Sequence, residues 1–185
     1  MALKRPPNHR IDAPIIFVHD SDTAWDNERV VAEQKRLREA GLDPKMHPVA
    51  RYQGGFTRYD LSADTVLFGA SVTVADYLDD SKQPTKWTLR RLEVGQWYEI
   101  HPSWQRAHRS GEKPFAAFIR SAIVGVVKVE NGPTLELSNG RLTDNDLMRL
   151  HDLGQAIDVD LIYDIGQAIY QASMPLVEAE RRPLG

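Results

Sequence analysis

The residues best placed for chemistry are three carboxylates close behind an apolar run: Asp20, Asp22 and Asp26 follow the tetrapeptide IIFV of residues 15–18. An Asp-x-Asp pair leaving a strand can present a nucleophile, a general acid and a Mg²⁺ ligand, as in some phosphotransferases. Asp79-Asp80 would be a second acidic pair. The spacing argues against it. Thr23 follows Asp22 directly, where enzymes with that pattern have a further residue, usually glycine, in between. A calcium loop fails too, because its sixth position would be Trp25 and its twelfth Val31 in place of glycine and glutamate. Short acidic side chains also collect at helix starts, where they accept backbone N–H bonds, so capping explains Asp20 and Asp22 without catalysis. A Mg²⁺-dependent phosphohydrolase using Asp20 and Asp22 is the minor alternative.

The six histidines, His9, His19, His47, His101, His108 and His151, show no HExxH or HxH spacing. His101 and His108 lie two helical turns apart, too far for one tetrahedral metal. No catalytic, metal or cofactor site is therefore expected, and the chain reads as non-enzymatic. Arg90, Arg91, Arg106, His108, Arg109, Lys113 and Arg120 form a basic run among aromatics. Such a run can track nucleic acid, but Glu93, Glu99 and Glu112 counter it and the whole chain carries a net charge of −3. The absence of cysteine excludes disulfides, thiolate catalysis and cysteine-ligated zinc or iron–sulfur centres.

The elements that would position these groups centre on residues 86–129, which hold three of the four tryptophans: Trp87, Trp97 and Trp104. Trp87, Leu89 and Leu92 predict a short extended segment. Trp97, Ile100 and Trp104 recur at helical spacing, as do Phe115, Phe118, Ile119, Ala122, Ile123 and Val126. Pro102 predicts a break between two helical segments, and Pro114 suits the first turn of the next helix. Before this region, residues 15–18 predict a buried strand, and residues 24–40 a surface helix capped by Asp22 or Ser21 and closed by Gly41. Residues 42–55 read as a loop. Residues 56–61 and 65–77 read as strands, or as a strand running into a short helix near Val74. After it, Asn131-Gly132 predicts a hairpin joining residues 127–130 to 134–137, weakened by Pro133. Thr143 with Asp146 predicts a capped helix ending near Gly154. A last helix over residues 158–172, with Leu161, Ile165, Ala168, Ile169 and Ala172 on one face, is expected to stop at Pro175.

The expected fold is α+β and mainly helical: a helical core around the Trp-rich stretch, with a small β element or hairpin. Residues 1–14, with Pro6-Pro7, Pro14, Lys4, Arg5 and Arg10, read as an extended basic arm. They lack the apolar centre of a secretory signal. Residues 15–185 read as one globular domain with a sub-boundary near 79–85.

Asp76-Tyr77-Leu78-Asp79, then Pro84-Thr85-Lys86-Trp87-Thr88-Leu89-Arg90-Arg91-Leu92 and Gln96-Trp97, resemble the opening of tail assembly chaperone-like proteins of tailed bacteriophages. There an extended segment leads into a helix that starts near a Glu-Trp or Gln-Trp pair. Residues 127–132 and 165–175 are similar in character to such small morphogenesis proteins. The resemblance implies a protein that holds other phage proteins, a tape-measure or tail-tube chain, in the host cytoplasm during assembly. A structural virion subunit of head, connector or tail, contacting neighbouring copies, is the related alternative. Trp97, Trp104, Phe115 and Phe118 are then the expected partner-binding residues, because aromatics dominate interface hot spots. Ordinary core packing is the competing role for each.

Overall fold

The computed structural model describes residues 14–49, 61, 62, 64–158 and 160–181, with side chains as far as Met174. The arm of residues 1–13, Gly54-Gly55 and all but the last residue of the strand expected over residues 56–61 lie outside the described residues. The architecture is α+β and mainly helical, as expected. Strand β1 (Ile15–Val18) leads to helix α1 (Asn27–Glu39), then the hairpin β2 (Asp64–Leu67) and β3 (Ala70–Thr73). Strand β4 (Lys86–Leu89), helices α2 (Val94–Ser110) and α3 (Phe115–Gly125), strand β5 (Val126–Glu130), and helices α4 (Asp144–Ala156) and α5 (Leu161–Arg181) complete the order.

The central sheet is antiparallel, in the order β1-β4-β5. Phe17 stands opposite Trp87, and Trp87 opposite Val129. Because strand side chains alternate, one face of this small sheet lays Ile15, Phe17, Trp87 and Leu89 on the helices. There they meet Trp97, Ile100, Phe118, Ala122, Leu150, Leu161, Ile165 and Ile169 in the main core. Full burial of each large side chain contributes about 1.5–3 kcal/mol. Val18, from the same strand, joins Trp25, Val30, Val49, Val74 and Tyr77 in a smaller second core. The two cores thus meet at β1, whose partner β4 lies beyond residues 79–85.

Helices α3 and α5 make the closest helix pair. Small residues allow it: a Cβ built on Gly166 would lie 2.9 Å from Phe118 Cα and closer still to that residue's carbonyl. One on Gly125 would meet the Ile169 side chain at 2.6 Å. Gly95, near the start of α2, has open space around it. Gly95→Ala should therefore raise stability by about 0.5 kcal/mol through reduced unfolded-state entropy. A thermal melt checks this, and a lowered Tm would mean the first turn of α2 needs glycine for another reason.

Several local expectations are corrected. Helix α1 is capped by Asp26, whose side chain accepts from Arg29 N–H, and not by Asp22 or Ser21. Asp22 instead accepts from Ala24 N–H at 2.9 Å and from Thr85 N–H at 2.8 Å, tying the turn after β1 to the segment before β4. Residues 134–137 form no strand; β5 takes β4 as its partner. Asn131 does turn the chain with positive φ, but its amide donates to the Pro84 carbonyl, and the peptide N–H that Pro133 lacks is one a ladder would need. Helix α2 is one helix through Pro102, and α5 continues through Pro175. Proline removes one intrahelical bond at a cost of about 3 kcal/mol. In α2 that cost falls on the exposed face while Trp97 and Ile100 stay buried on the other.

Candidate functional site

Helix α2 carries Trp97, His101, Trp104 and His108 at spacings of four, three and four residues, so their rings rise along one stripe. They stack nearly parallel. Trp97 and His101 are 4.0 Å apart at 18°, His101 and Trp104 5.6 Å at 13°, and Trp104 and His108 4.9 Å at 9°. Tyr170 of α5 lies beside the stack and its hydroxyl pairs with His101 Nδ1 at 2.5 Å. Burial pushes the Tyr170 phenol above its ordinary pKa, so it keeps its proton. The stack runs from buried Trp97 to exposed His108. Among the described residues, Trp97 Nε1 and Gln171 Oε1 are buried without a hydrogen-bond partner.

A second aromatic group sits at the start of α3. Phe115 and Phe118 both pack on Tyr163 of α5, each with ring centroids 4.9 Å away. Phe115 is 42% exposed and borders a cleft of about 400 Å³ between α3, α4 and α5. The cleft has an apolar floor of Ile119, Leu150, Leu161 and Ile162. Of the four aromatics expected to bind a partner, Trp97 and Phe118 are thus core residues, 4% and 3% exposed, with almost no ring surface to offer. Trp104 is half-buried, and Phe115 is open.

The polar groups with catalytic character resolve into two copies of one structural device. His19 Nδ1 accepts from Ser21 N–H at 3.2 Å, which leaves Nε2–H to donate to Asp164 at 3.0 Å. Ser21 Oγ lies 2.9 Å from the same Nδ1, so Ser21, His19 and Asp164 have the connectivity of a nucleophilic triad. His47 repeats the arrangement: its Nδ1 accepts from Val49 N–H at 3.2 Å and its Nε2–H donates to Glu33 at 2.8 Å. Valine occupies the place of serine there, and the geometry is unchanged. The shared feature is a histidine that caps its own turn and reaches a carboxylate on a helix, which makes both histidines braces. Glu33 also accepts from the Tyr77 hydroxyl at 2.6 Å and from Arg29 at 3.1 Å. Burial works against the Glu33 charge, but these donors outweigh it and hold the carboxyl below its ordinary range.

Of the other candidates, Asp22 braces the turn after β1 and Asp26 caps α1. Asp79 accepts from Ser81, and Asp80 pairs with Lys86 at 2.6 Å. No group of three or more metal-ligating side chains occurs among the described residues. The basic run disperses: Arg90 donates to the Val124 and Gly140 carbonyls and Arg91 to Ala172, while Lys113 lies 5.7 Å over the Tyr163 ring. No helix among the described residues is long and apolar enough to cross a membrane. Sequence reasoning misses the roles of Tyr163 and Tyr170 and both histidine braces. The 97/101/104/108 spacing is the one signal that could have marked the stack. Comparison with known protein families, curated proteins and solved structures finds no match to this chain.

Proposed function

We propose that the protein is a non-enzymatic assembly factor of a bacteriophage particle that works by contact with other phage proteins, in the manner of a tail assembly chaperone. The observation that carries the contact reading is Phe115, an exposed aromatic held on a rigid helix start beside an apolar cleft. Exposed large aromatics next to unfilled concavities are where binding energy concentrates in protein interfaces. Trp104 extends the same aromatic character onto α2. The phage context rests on the resemblance at residues 76–97, where Lys86–Leu89 forms the strand and Val94 begins the helix that such an opening implies. A subunit that stays in the particle would use the same surface against neighbouring copies.

The test is recovery of the tagged chain from phage-infected cells. Tail or head proteins should accompany it, and Phe115→Ala should cut their recovery by about tenfold, as for a hot-spot residue. Its Tm should stay within a few degrees of the parent, since the ring is half in solvent. Recovery of no phage tail or head protein would remove the case for this class of function.

A further inference from the structure

The cleft beside Phe115 has a charge signature as well as an apolar floor. Its rim is formed by His151 and Gln155 of α4 and by Asp158 and Asp160 of the α4–α5 connection. Among the described residues neither of these two acids takes part in an ion pair; the Asp160 side chain accepts only a long bond, 3.4 Å, from Tyr163 N–H. The C-terminal end of α4 points into the same region with the negative end of its dipole. Lys113 stands at the far, Phe115 end, over Tyr163. Tyr163 registers the resulting field: burial raises its pKa first, and Asp164 and Asp160 push it further the same way.

From this pairing of apolar floor and uncompensated acids, we infer that the cleft takes a segment of a partner protein that presents an aliphatic side chain flanked by lysine or arginine. The aliphatic group covers Phe115, Ile119 and Ile162, the members of the lining that keep accessible surface, and the cation lies between Asp158 and Asp160. An acidic partner segment is rejected by like charge at the same rim. The inference rests on the contact reading only in treating Phe115 as part of a partner surface; the choice of cation comes from the rim.

The experiment uses the full chain, ¹⁵N-labelled, and two acetylated and amidated peptides with the same leucine pattern. One carries lysine at every other position and the other glutamate. The lysine peptide should shift the amides of Phe115, Ile119 and residues 150–162 and bind about fivefold more tightly than the glutamate peptide, the range expected for two exposed charge pairs. Asp158→Asn with Asp160→Asn should remove most of that difference, since the asparagine oxygen can still accept the Tyr163 N–H bond. Asparagine keeps the positive φ of position 158 tolerable, so the fold is preserved. Equal affinity of the two peptides at these residues overturns the charge preference and leaves the contact reading standing. Shifts confined to α2, or none, overturn the cleft as the binding place, while recovery of phage proteins from infected cells tests the contact reading independently.

Discussion

Gly166→Ala is expected to leave little folded protein. The added methyl would fall on the Phe118 backbone, which cannot rotate away as a side chain can. Helices α3 and α5 would have to separate along a seam that also buries Ala117, Ser121, Ala122, Ile165 and Ile169. Overpacking against backbone lies at the upper end of such costs, above about 4 kcal/mol, a large share of the roughly 5–15 kcal/mol stability of a typical domain. Circular dichroism and a thermal melt check it, with Gly95→Ala as the matched substitution in open space. A Gly166→Ala protein that melts within a few degrees of the parent would show that the seam can adjust, and that close approach of α3 to α5 does not require glycine at 166.

The second large effect belongs to Asp146. Its fully buried carboxylate accepts from Glu136 N–H at 2.7 Å, Leu137 N–H at 3.1 Å, Thr143 N–H at 2.9 Å and the Thr143 hydroxyl at 2.9 Å. One side chain thus holds the strand-less stretch after Gly132 and starts α4. Asp146→Asn turns an amide N–H₂ toward donors it cannot accept from, and should cost about 2–4 kcal/mol. Burial raises this carboxyl's pKa, but the four bonds outweigh it and the folded value lies below the ordinary one. The sign follows: the extra stability is complete above the unfolded carboxyl range, near 4, and disappears as pH falls through the lower folded value. Urea unfolding at pH 7 and pH 3 should show the gap between parent and variant narrowing at the lower pH. A gap that stays constant would mean that charge plays no part in the capping.

What is legible in the sequence is what repeats locally. The apolar face of α5, the Thr143–Asp146 capping box and the strand at residues 15–18 each follow from spacing within a few residues. The features that sequence reasoning misplaces are competitions decided at a distance. Asp22 and Ser21 are the caps that local spacing offers for α1, yet Asp26 takes the position while Asp22 is drawn to Thr85. Asn131-Gly132 is a true turn signal, yet β5 pairs with a strand some forty residues earlier. Pro102 carries a local cost, but the burial of Trp97 and Ile100 on the opposite face lets α2 run through it. At the candidate site the same division holds. The aromatic residues are visible as a cluster, but which of them face water depends on where α5 lies, and Tyr163 and Tyr170 give no local sign of it. His19 and Asp164, 145 residues apart, cannot be paired from any pattern.

The position of β1 has a consequence for synthesis. Its partner β4 begins 68 residues after β1 ends. At about 5–20 residues per second, the nascent tetrapeptide IIFV waits roughly 3–14 s for the strand that will cover it. During that interval it is a short, β-prone, uncharged segment of the kind that seeds aggregation. Pro14 and Arg10 before it, and His19, Asp20 and Asp22 after it, set a helix breaker and charges on both flanks. Such flanking residues discourage strand addition from a neighbouring nascent chain. The acidic run that first suggested catalysis thus guards β1 before the turn closes.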